Sequence, residues 1–246
     1  MEKICIDINC DVGEGVSNEK DLFPLISSCN IACGGHTGDK ISMASTVQLA
    51  RLNNVKVGAH PSYPDKENFG RASMKIPQEE LINSIRTQIY NLEGITTEEK
   101  LKLNHIKPHG ALYNDIAKNK ALAKLFLKSI KKYKKDTLLY VPYASEVEKE
   151  ALKQNFKIVY EAFADRNYKS DLKLLSRQDP NALIIEKEKV LEHVLNIAKH
   201  RKVKTITGQE TKILAETFCI HSDTPLAFEI VLYLTQELPN HNIQIK

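Results

Sequence analysis

Short apolar runs of strand length alternate along this chain with stretches whose apolar residues recur every three or four positions. Ile4 to Asn9, Cys29 to Cys33, Val55 to Ala59, Leu103 to Lys107, Leu138 to Val141, Lys157 to Tyr160 and Thr217 to Ile220 read as strands. Asp39 to Leu52 reads as a helix capped by Asp39, with Ile41, Ala44, Val47 and Leu52 at helical spacing. Pro77 to Leu92 is the best helical pattern. Pro77 suits the first turn, Glu79 and Glu80 suit the positive end of the dipole, and Leu81, Ile82, Ile85, Ile89 and Leu92 form one stripe. Further helices are expected around Leu122, Leu125, Phe126 and Ile130, over Ala144 to Gln154, and over Glu186 to His200. Thr224 is expected to cap a last helix, with Pro225 in its first turn and Val231 and Leu234 inward.

About seven strands, each mostly followed by a helix, predict an α/β fold whose parallel sheet closes into a (β/α) barrel. A doubly wound open sheet is the alternative, but no glycine-rich dinucleotide fingerprint follows any strand. Neither repeat nor linker-like tract interrupts the 246 residues, so one domain over 1–246 is expected.

Composition narrows the class of partner. A net charge of +4, from 35 basic and 31 acidic residues, is too mild to predict nucleic-acid binding. The basic run Lys128 to Lys135 reads as a solvated helix end before a phosphate patch. Nothing apolar approaches the ~18 residues that span a bilayer. Met1-Glu2-Lys3 enters a strand at once, without signal-peptide architecture, so a cytoplasmic location and no membrane are expected. The five cysteines are Cys5, Cys10, Cys29, Cys33 and Cys219, and their odd number argues against a disulfide framework. Cys29 and Cys33 fit either a metal pair or two buried thiols; buried thiols are favoured, because no second cysteine pair would complete a zinc site.

The candidate chemistry lies where strands stop. Four of the eight histidines, His36, His60, His109 and His221, follow strand-like runs beside small residues or proline. The first strand ends on Asp11 and Glu14 instead, and its period places Asp7, Asn9 and Asp11 on one face. Lys107 and His109, two apart, share a face, and a lysine there calls for a carboxylate or an anionic ligand. Each residue also has a plainer reading: Asp7 hydrogen-bonded in the barrel, His36 a loop residue, Arg71 a surface arginine, Asp165-Arg166 a local ion pair, Asp223 a helix-end residue. His105, His193, His200 and His241 lack such company and are expected to be incidental. Together the strand-end residues suit hydrolysis or acyl transfer at an amide, or an Asp/His cluster holding a divalent metal that activates water. No serine or cysteine stands in a nucleophile elbow, which disfavours a covalent acyl-enzyme.

Five longer motifs resemble the LamB/YcsF family. They are Asp7-Ile8-Asn9-Cys10-Asp11-Val12-Gly13-Glu14, Asn30-Ile31-Ala32-Cys33-Gly34-Gly35-His36, Gly58-Ala59-His60-Pro61, Lys107-Pro108-His109-Gly110-Ala111-Leu112-Tyr113-Asn114 and Phe163-Ala164-Asp165-Arg166. The match continues through Cys219-Ile220-His221-Ser222-Asp223-Thr224-Pro225. Departures fall in loops and turns and leave the charged residues in place. Gly34-Gly35-His36 stands for Gly-Phe-His, Asp171-Leu172 for Asp-Gly, His221-Ser222-Asp223 for His-Gly-Asp, and Ser17 to Asp21 for an acidic run. The resemblance implies a seven-stranded, TIM-like barrel related to the glycoside hydrolase/deacetylase superfamily. It also implies ATP-coupled cleavage of 5-oxo-L-proline (pyroglutamate) to L-glutamate, in complex with 5-oxoprolinase subunits B and C. On that basis Asp11 is expected as general base, with His36, His60 and His109 around the reacting carbon or a metal, and Lys107 and Arg71 neutralising carboxylate or phosphate. Asn9, Glu14, Arg71, Tyr113, Asp165, Arg166, His221 and Asp223 are expected to contact substrate. ATP is the expected co-substrate, and a divalent metal would draw on Asp11, His36 and His60. A metal-dependent deacetylase or amidohydrolase working without ATP, and a non-catalytic scaffold protein, are the alternatives.

Overall fold

The computed structural model describes residues 3–17 and 19–246. Met1, Glu2 and Asn18, which belong to the expected leaderless start and to the Ser17-to-Asp21 departure, lie outside the described residues. The first half runs β1 (Ile4–Val12), α1 (Glu19–Leu22), β2 (Ser28–Ala32), α2 (Lys40–Leu52), β3 (Lys56–His60), α3 (Gln78–Glu98), β4 (His105–Ile106), α4 (Gly110–Lys118), α5 (Lys120–Ser129), β5 (Leu138–Pro142) and α6 (Glu146–Lys153). Then follow β6 (Ile158–Phe163), α7 (Lys187–His200), β7 (Lys202–Lys204), β8 (Glu210–Lys212), β9 (Thr217–His221), α8 (Ala227–Glu237) and β10 (Ile243–Ile245). Strand order is β1-β2-β3-β4-β5-β6-β9, and β1 also pairs with β9. The parallel sheet therefore closes as the seven-stranded (β/α) barrel, with β10 added alongside β1. Packing gathers the chain into two compact units, one of Met1–Cys10, Ser17–Ser27 and Tyr160–Lys246, the other of Asp11–Val16 and Ser28–Val159.

In the second of these units, β2 to β5 send Ile31, Ala59, Ile106 and Leu139 into an apolar core. Each of the larger side chains contributes about 1.5–3 kcal/mol by leaving water. On the helices, Leu81, Ile82, Ile85, Ile89 and Leu92 of α3 and Phe126 and Leu127 of α5 are buried. The stripe expected on α2 is corrected. Met43, Val47 and Ala50 are buried, whereas Ile41 is 81% and Leu52 70% exposed. Both sets have helical spacing; only packing decides between them. Asp39 caps α2 as expected, accepting from the Ser42 N–H at 2.8 Å while Ser42 answers the Asp39 N–H. Helix α3 runs on past Leu92 to Glu98, because Ile95 and Thr96 extend the buried face and Gly94 costs only about 1 kcal/mol in a helix. Pro77 stands one position before its first turn. The helical stretch around Leu122 to Ile130 is preceded by a second helix, α4. Asn119 separates the two, its side chain accepting from the N–H groups of Ala121 and Leu122.

Registers fix which side chains of β2 to β4 share a face. Asn30 pairs with Gly58, and Gly58 with His105, so these three occupy one rung. Ala32 and His60 form the next rung on the same face, and Lys107 lies two residues past His105.

In the other unit, β6 pairs with β9 in parallel, Phe163 opposite Cys219. The excursion from β6 to α7 is pinned by the buried Arg166 guanidinium, which donates to the carbonyls of Leu175 (2.5 Å) and Ala182 (3.3 Å). The antiparallel β7–β8 pair and β10 carry patterns too short to be read in advance. Thr224 does not cap the last helix. Leu226, with φ 61°, occupies that position, and the Thr224 hydroxyl donates to Asp165 instead. No disulfide links the five cysteines, and Cys10, Cys29, Cys33 and Cys219 are buried. Burial pushes the Cys33 thiol up to about 12, so it stays protonated and inert.

Among the described residues, no helix is long and apolar enough to cross a membrane.

Candidate active site

Within the unit Asp11–Val16 plus Ser28–Val159, the ends of β1, β3 and β4 bring Asp11, His60 and Lys107 together. Lys107 is 1% exposed and Asp11 4% exposed, so neither charge has much water to solvate it. They solve this mutually: Lys107 Nζ donates to Asp11 Oδ1 at 2.9 Å. Asn30 Nδ2 donates to the same oxygen at 2.8 Å, while Oδ2 lies 3.3 Å from His60 Nε2.

The Asn30 amide is held in turn by His105. Gly58 has no side chain to fill the middle of their shared rung, so the His105 ring lies over it and Nε2–H donates to Asn30 Oδ1 at 2.7 Å. Tyr140 stacks on His105 at 4.0 Å between centroids. Burial, then the Lys107 charge, holds this imidazole well below its usual pKa, so it is a neutral donor. His105 is therefore not incidental. Its link to Asp11 depends on register, which the sequence pattern does not display.

Three further imidazoles have their hydrogens assigned by their neighbours. His60 Nδ1 lies 2.7 Å from the Lys107 carbonyl, which only accepts, so the hydrogen is on Nδ1. His109 Nε2 likewise donates to the Phe69 carbonyl at 2.9 Å. Ser62 Oγ donates to the Tyr63 carbonyl at 2.8 Å and so receives the His36 Nδ1–H at 3.0 Å. The remaining nitrogen of each ring faces inward. His60 Nε2 and His109 Nδ1 are 3.0 Å apart. His36 Nε2 is 2.9 Å from Glu14 Oε1, and His109 Nδ1 is 3.4 Å from the same oxygen. The His36 and His109 rings stack at 3.7 Å. Burial lowers the pKa of His36, against the raising effect of its bond to Glu14. It lowers that of His109 far more, helped by His60 and His36.

Backbone and helix α3 complete the arrangement. Gly70 adopts φ +63°, and a Cβ there would lie 2.9 Å from His36 Cβ and 3.0 Å from His109 Cδ2. Gln88 of α3 grips Ser62 like a second backbone, accepting from its N–H at 3.0 Å and donating to its carbonyl at 2.9 Å. A side chain at position 35 would collide with this amide, its Cβ 2.4 Å from Gln88 Oε1. Tyr113 is buried on α4, and exposed Arg71 lays its guanidinium 4.9 Å from the centre of the Phe69 ring.

The other unit holds the remaining candidates. Fully buried Asp165 accepts from the His221 backbone N–H (3.1 Å), from His221 Nδ1–H (2.9 Å) and from the Thr224 hydroxyl (2.5 Å). Burial opposes its ionisation, but His221 and these donors prevail and bring its pKa to about 2. Arg166 is engaged with carbonyls, and Asp223 pairs with Arg177 at 3.2 Å on the surface. Asn9 donates to Glu161 (3.0 Å) and Thr217 (2.7 Å), and Thr217 donates to Asp7 at 2.6 Å. His193 is likewise built in, donating to the Phe163 carbonyl at 3.2 Å.

Comparison with known proteins places these residues in context. A sequence model of the LamB/YcsF family matches residues 6–246. A protein named as the A subunit of 5-oxoprolinase in Pyrococcus horikoshii is 38% identical over 245 residues, covering 98% of this chain and 96% of the relative. One of the same name from Bacillus cereus (strain Q1) is 39% identical over 246 residues, covering 98% and 97%. The crystal structure of a lactam utilization protein from Thermus thermophilus superposes with a TM-score of 0.91 at 32% identity, covering 99% of each chain.

Proposed function

The chain belongs to the LamB/YcsF family, and we propose that it opens 5-oxo-L-proline to L-glutamate as the A component of an ATP-dependent 5-oxoprolinase, assembled with subunits B and C. The names of its relatives, the A subunit of 5-oxoprolinase and a lactam utilization protein, support this reading. The observation that carries it is the cluster of Asp11, Glu14, His36, His60, Lys107 and His109. Its side chains are nearly all buried and set proton acceptors beside one ammonium.

The chemistry asks for such a lining. A five-membered lactam is a poor electrophile and its opening is uphill, which is why ATP hydrolysis would be coupled to it. Phosphorylation of the lactam oxygen would make the carbon attackable. This chain has no Gly-x-x-x-x-Gly-Lys-Ser/Thr loop, so ATP would be held by another arrangement or by a partner protein. Water would then attack the lactam carbon and pass its proton to the cluster; C–N cleavage, with the ring nitrogen taking a proton to become the α-amino group, leaves γ-glutamyl phosphate, which a second water splits into L-glutamate and inorganic phosphate. Glu14 with His36 suits the proton-accepting role best, because Oε1 and Nε2 lie 2.9 Å apart and can share a proton taken from water. Asp11, expected to be the base, is better placed as the anion that holds Lys107, whose charge would stabilise the oxyanion.

The test is glutamate release from 5-oxoproline and ATP with the full assembly. Activity is expected only when this chain and subunits B and C are all present. Glu14→Gln should lower turnover by at least about 100-fold with an unchanged far-UV spectrum. No glutamate from the complete wild-type mixture would defeat the reading. The facing ring nitrogens of His60 and His109 favour, as a second reading, a metal-dependent amidohydrolase working without ATP; nucleotide-independent glutamate release would mark it.

A further inference from the structure

We propose that Asp11 Oδ2, His60 Nε2 and His109 Nδ1 form a binding site for one divalent first-row transition ion of the zinc type. The inference deepens the reading of this cluster as the reacting centre and rests on it for its meaning, though not for its test.

The argument starts from hydrogens. Two nitrogens 3.0 Å apart are within hydrogen-bond distance, yet each ring has already given its N–H to a backbone carbonyl on the far side. With those outer hydrogens placed, the two inward nitrogens converge on one point, where a cation would hold them together. His109 gives its Nε2–H to the Phe69 carbonyl, so Nδ1 is the ring nitrogen turned toward His60 and Asp11. Carbonyls that fix the outer N–H of each ligand histidine are what orient and polarise imidazoles at metal centres.

Geometry and charge agree. Bonds of about 2.1 Å to two nitrogens at this separation subtend about 90°, and an opening of about 0.4 Å would give the tetrahedral angle. The three donor atoms lie within 4.8 Å of one another, and Glu14, His36 and His109 form a second, overlapping group. His36 joins Glu14 and His109, and not the expected trio with Asp11 and His60. Asp11 would serve as a one-oxygen ligand through Oδ2, 3.3 Å from His60 Nε2, while Oδ1 accepts from Lys107 and Asn30. The carboxylates of Asp11 and Glu14 outnumber the single Lys107 ammonium by one, in a place nearly closed to water. A divalent ion turns that deficit into a single positive charge, which suits a substrate carrying a carboxylate. A nitrogen-rich donor set with one carboxylate selects zinc, cobalt or manganese over magnesium or calcium. When bound, such an ion supplies Lewis-acid polarisation.

The experiment uses the full chain stripped with a chelator and titrated with Zn²⁺ by calorimetry and with Co²⁺ by visible absorption. One equivalent should bind, and Co²⁺ should give ligand-field bands. His60→Ala and His109→Ala should bind more than about tenfold more weakly, whereas His241→Ala should bind like the wild type. Asp11→Asn, close in shape to the native residue, should also weaken binding, which covers the case in which a histidine variant misfolds. Absence of stoichiometric binding, or wild-type affinity in all three cluster variants, would overturn the site. Metal binding without glutamate release from the assembly would leave this site standing and sink the lactam reading. Turnover by stripped protein that binds no ion would do the reverse.

Discussion

Gly58→Ala adds a single methyl group, and the structure says where it goes. The new Cβ would lie 2.0 Å from His105 Nε2, 2.3 Å from Cδ2 and 2.4 Å from Cε1. The ring cannot retreat, because Tyr140 stacks against it at 4.0 Å with the planes 5° from parallel. Overpacking of this kind costs about 1–3 kcal/mol. Loss of the His105–Asn30 hydrogen bond adds about 1 kcal/mol. Reduced freedom of the unfolded chain returns about 0.4–1 kcal/mol. The net is a loss of about 1–3.6 kcal/mol, which lowers the melting temperature of a chain this long by about 2–14 °C. Calorimetric melting of Gly58→Ala, His105→Ala and the double variant isolates the cause. Removing the ring should make room for the methyl group, so in the His105→Ala background Gly58→Ala should cost less than about 0.5 kcal/mol. Turnover of the assembled complex should fall in Gly58→Ala, because Asn30 no longer fixes Asp11. An unchanged melting temperature, or an equal cost in both backgrounds, would refute the account of that rung.

Two other perturbations test different parts of the molecule. Burial lowers the His193 pKa from 6.5 to about 4, against the raising effects of the Phe163 carbonyl and Asp165, so the fold excludes its proton while the unfolded chain accepts it. Its neutral form favours the fold fully above pH 6.5, and stability should drain by roughly 3 kcal/mol as pH falls through 4. His193→Gln should flatten that part of the urea-measured pH profile, and an unchanged slope would count against the assignment. Gly70→Ala meets both a positive φ of 63° and the crowding against His36 and His109. It should cost about 1–2 kcal/mol from backbone strain alone and reduce turnover as well; wild-type melting and turnover would contradict it.

What could be read from the chain and what could not divide along a physical line. Strand ends are marked by local pattern, so the sequence points to Asp11, His36, His60, Lys107 and His109 as one group, and the structure brings them together. Barrel closure follows from the count of alternating elements. Partners set by register or by an inserted side chain leave no such mark. Asn30, His105 and Ser62 touch the cluster only because of how β2, β3 and β4 align and how the loop after β3 folds back. Helix faces fall between these cases. On α2, Ile41 and Leu52 have the period of a core stripe and still face water, since periodicity gives a face without saying which one. Thr224 shows that a residue suited to capping goes to a buried carboxylate when one lies within reach.

The grip of Gln88 on Ser62 has an evolutionary consequence. Position 35 is bare in this chain because the amide from α3 already occupies the space a side chain would need. Neither residue can therefore drift alone. A bulky residue at 35 requires that 88 shorten or swing aside, and Ser62, with the hydrogen of His36 resting on it, must then find another support. Ancestry at these two positions should change in pairs, and grafting one without the other should produce a folded protein whose site has lost its orientation.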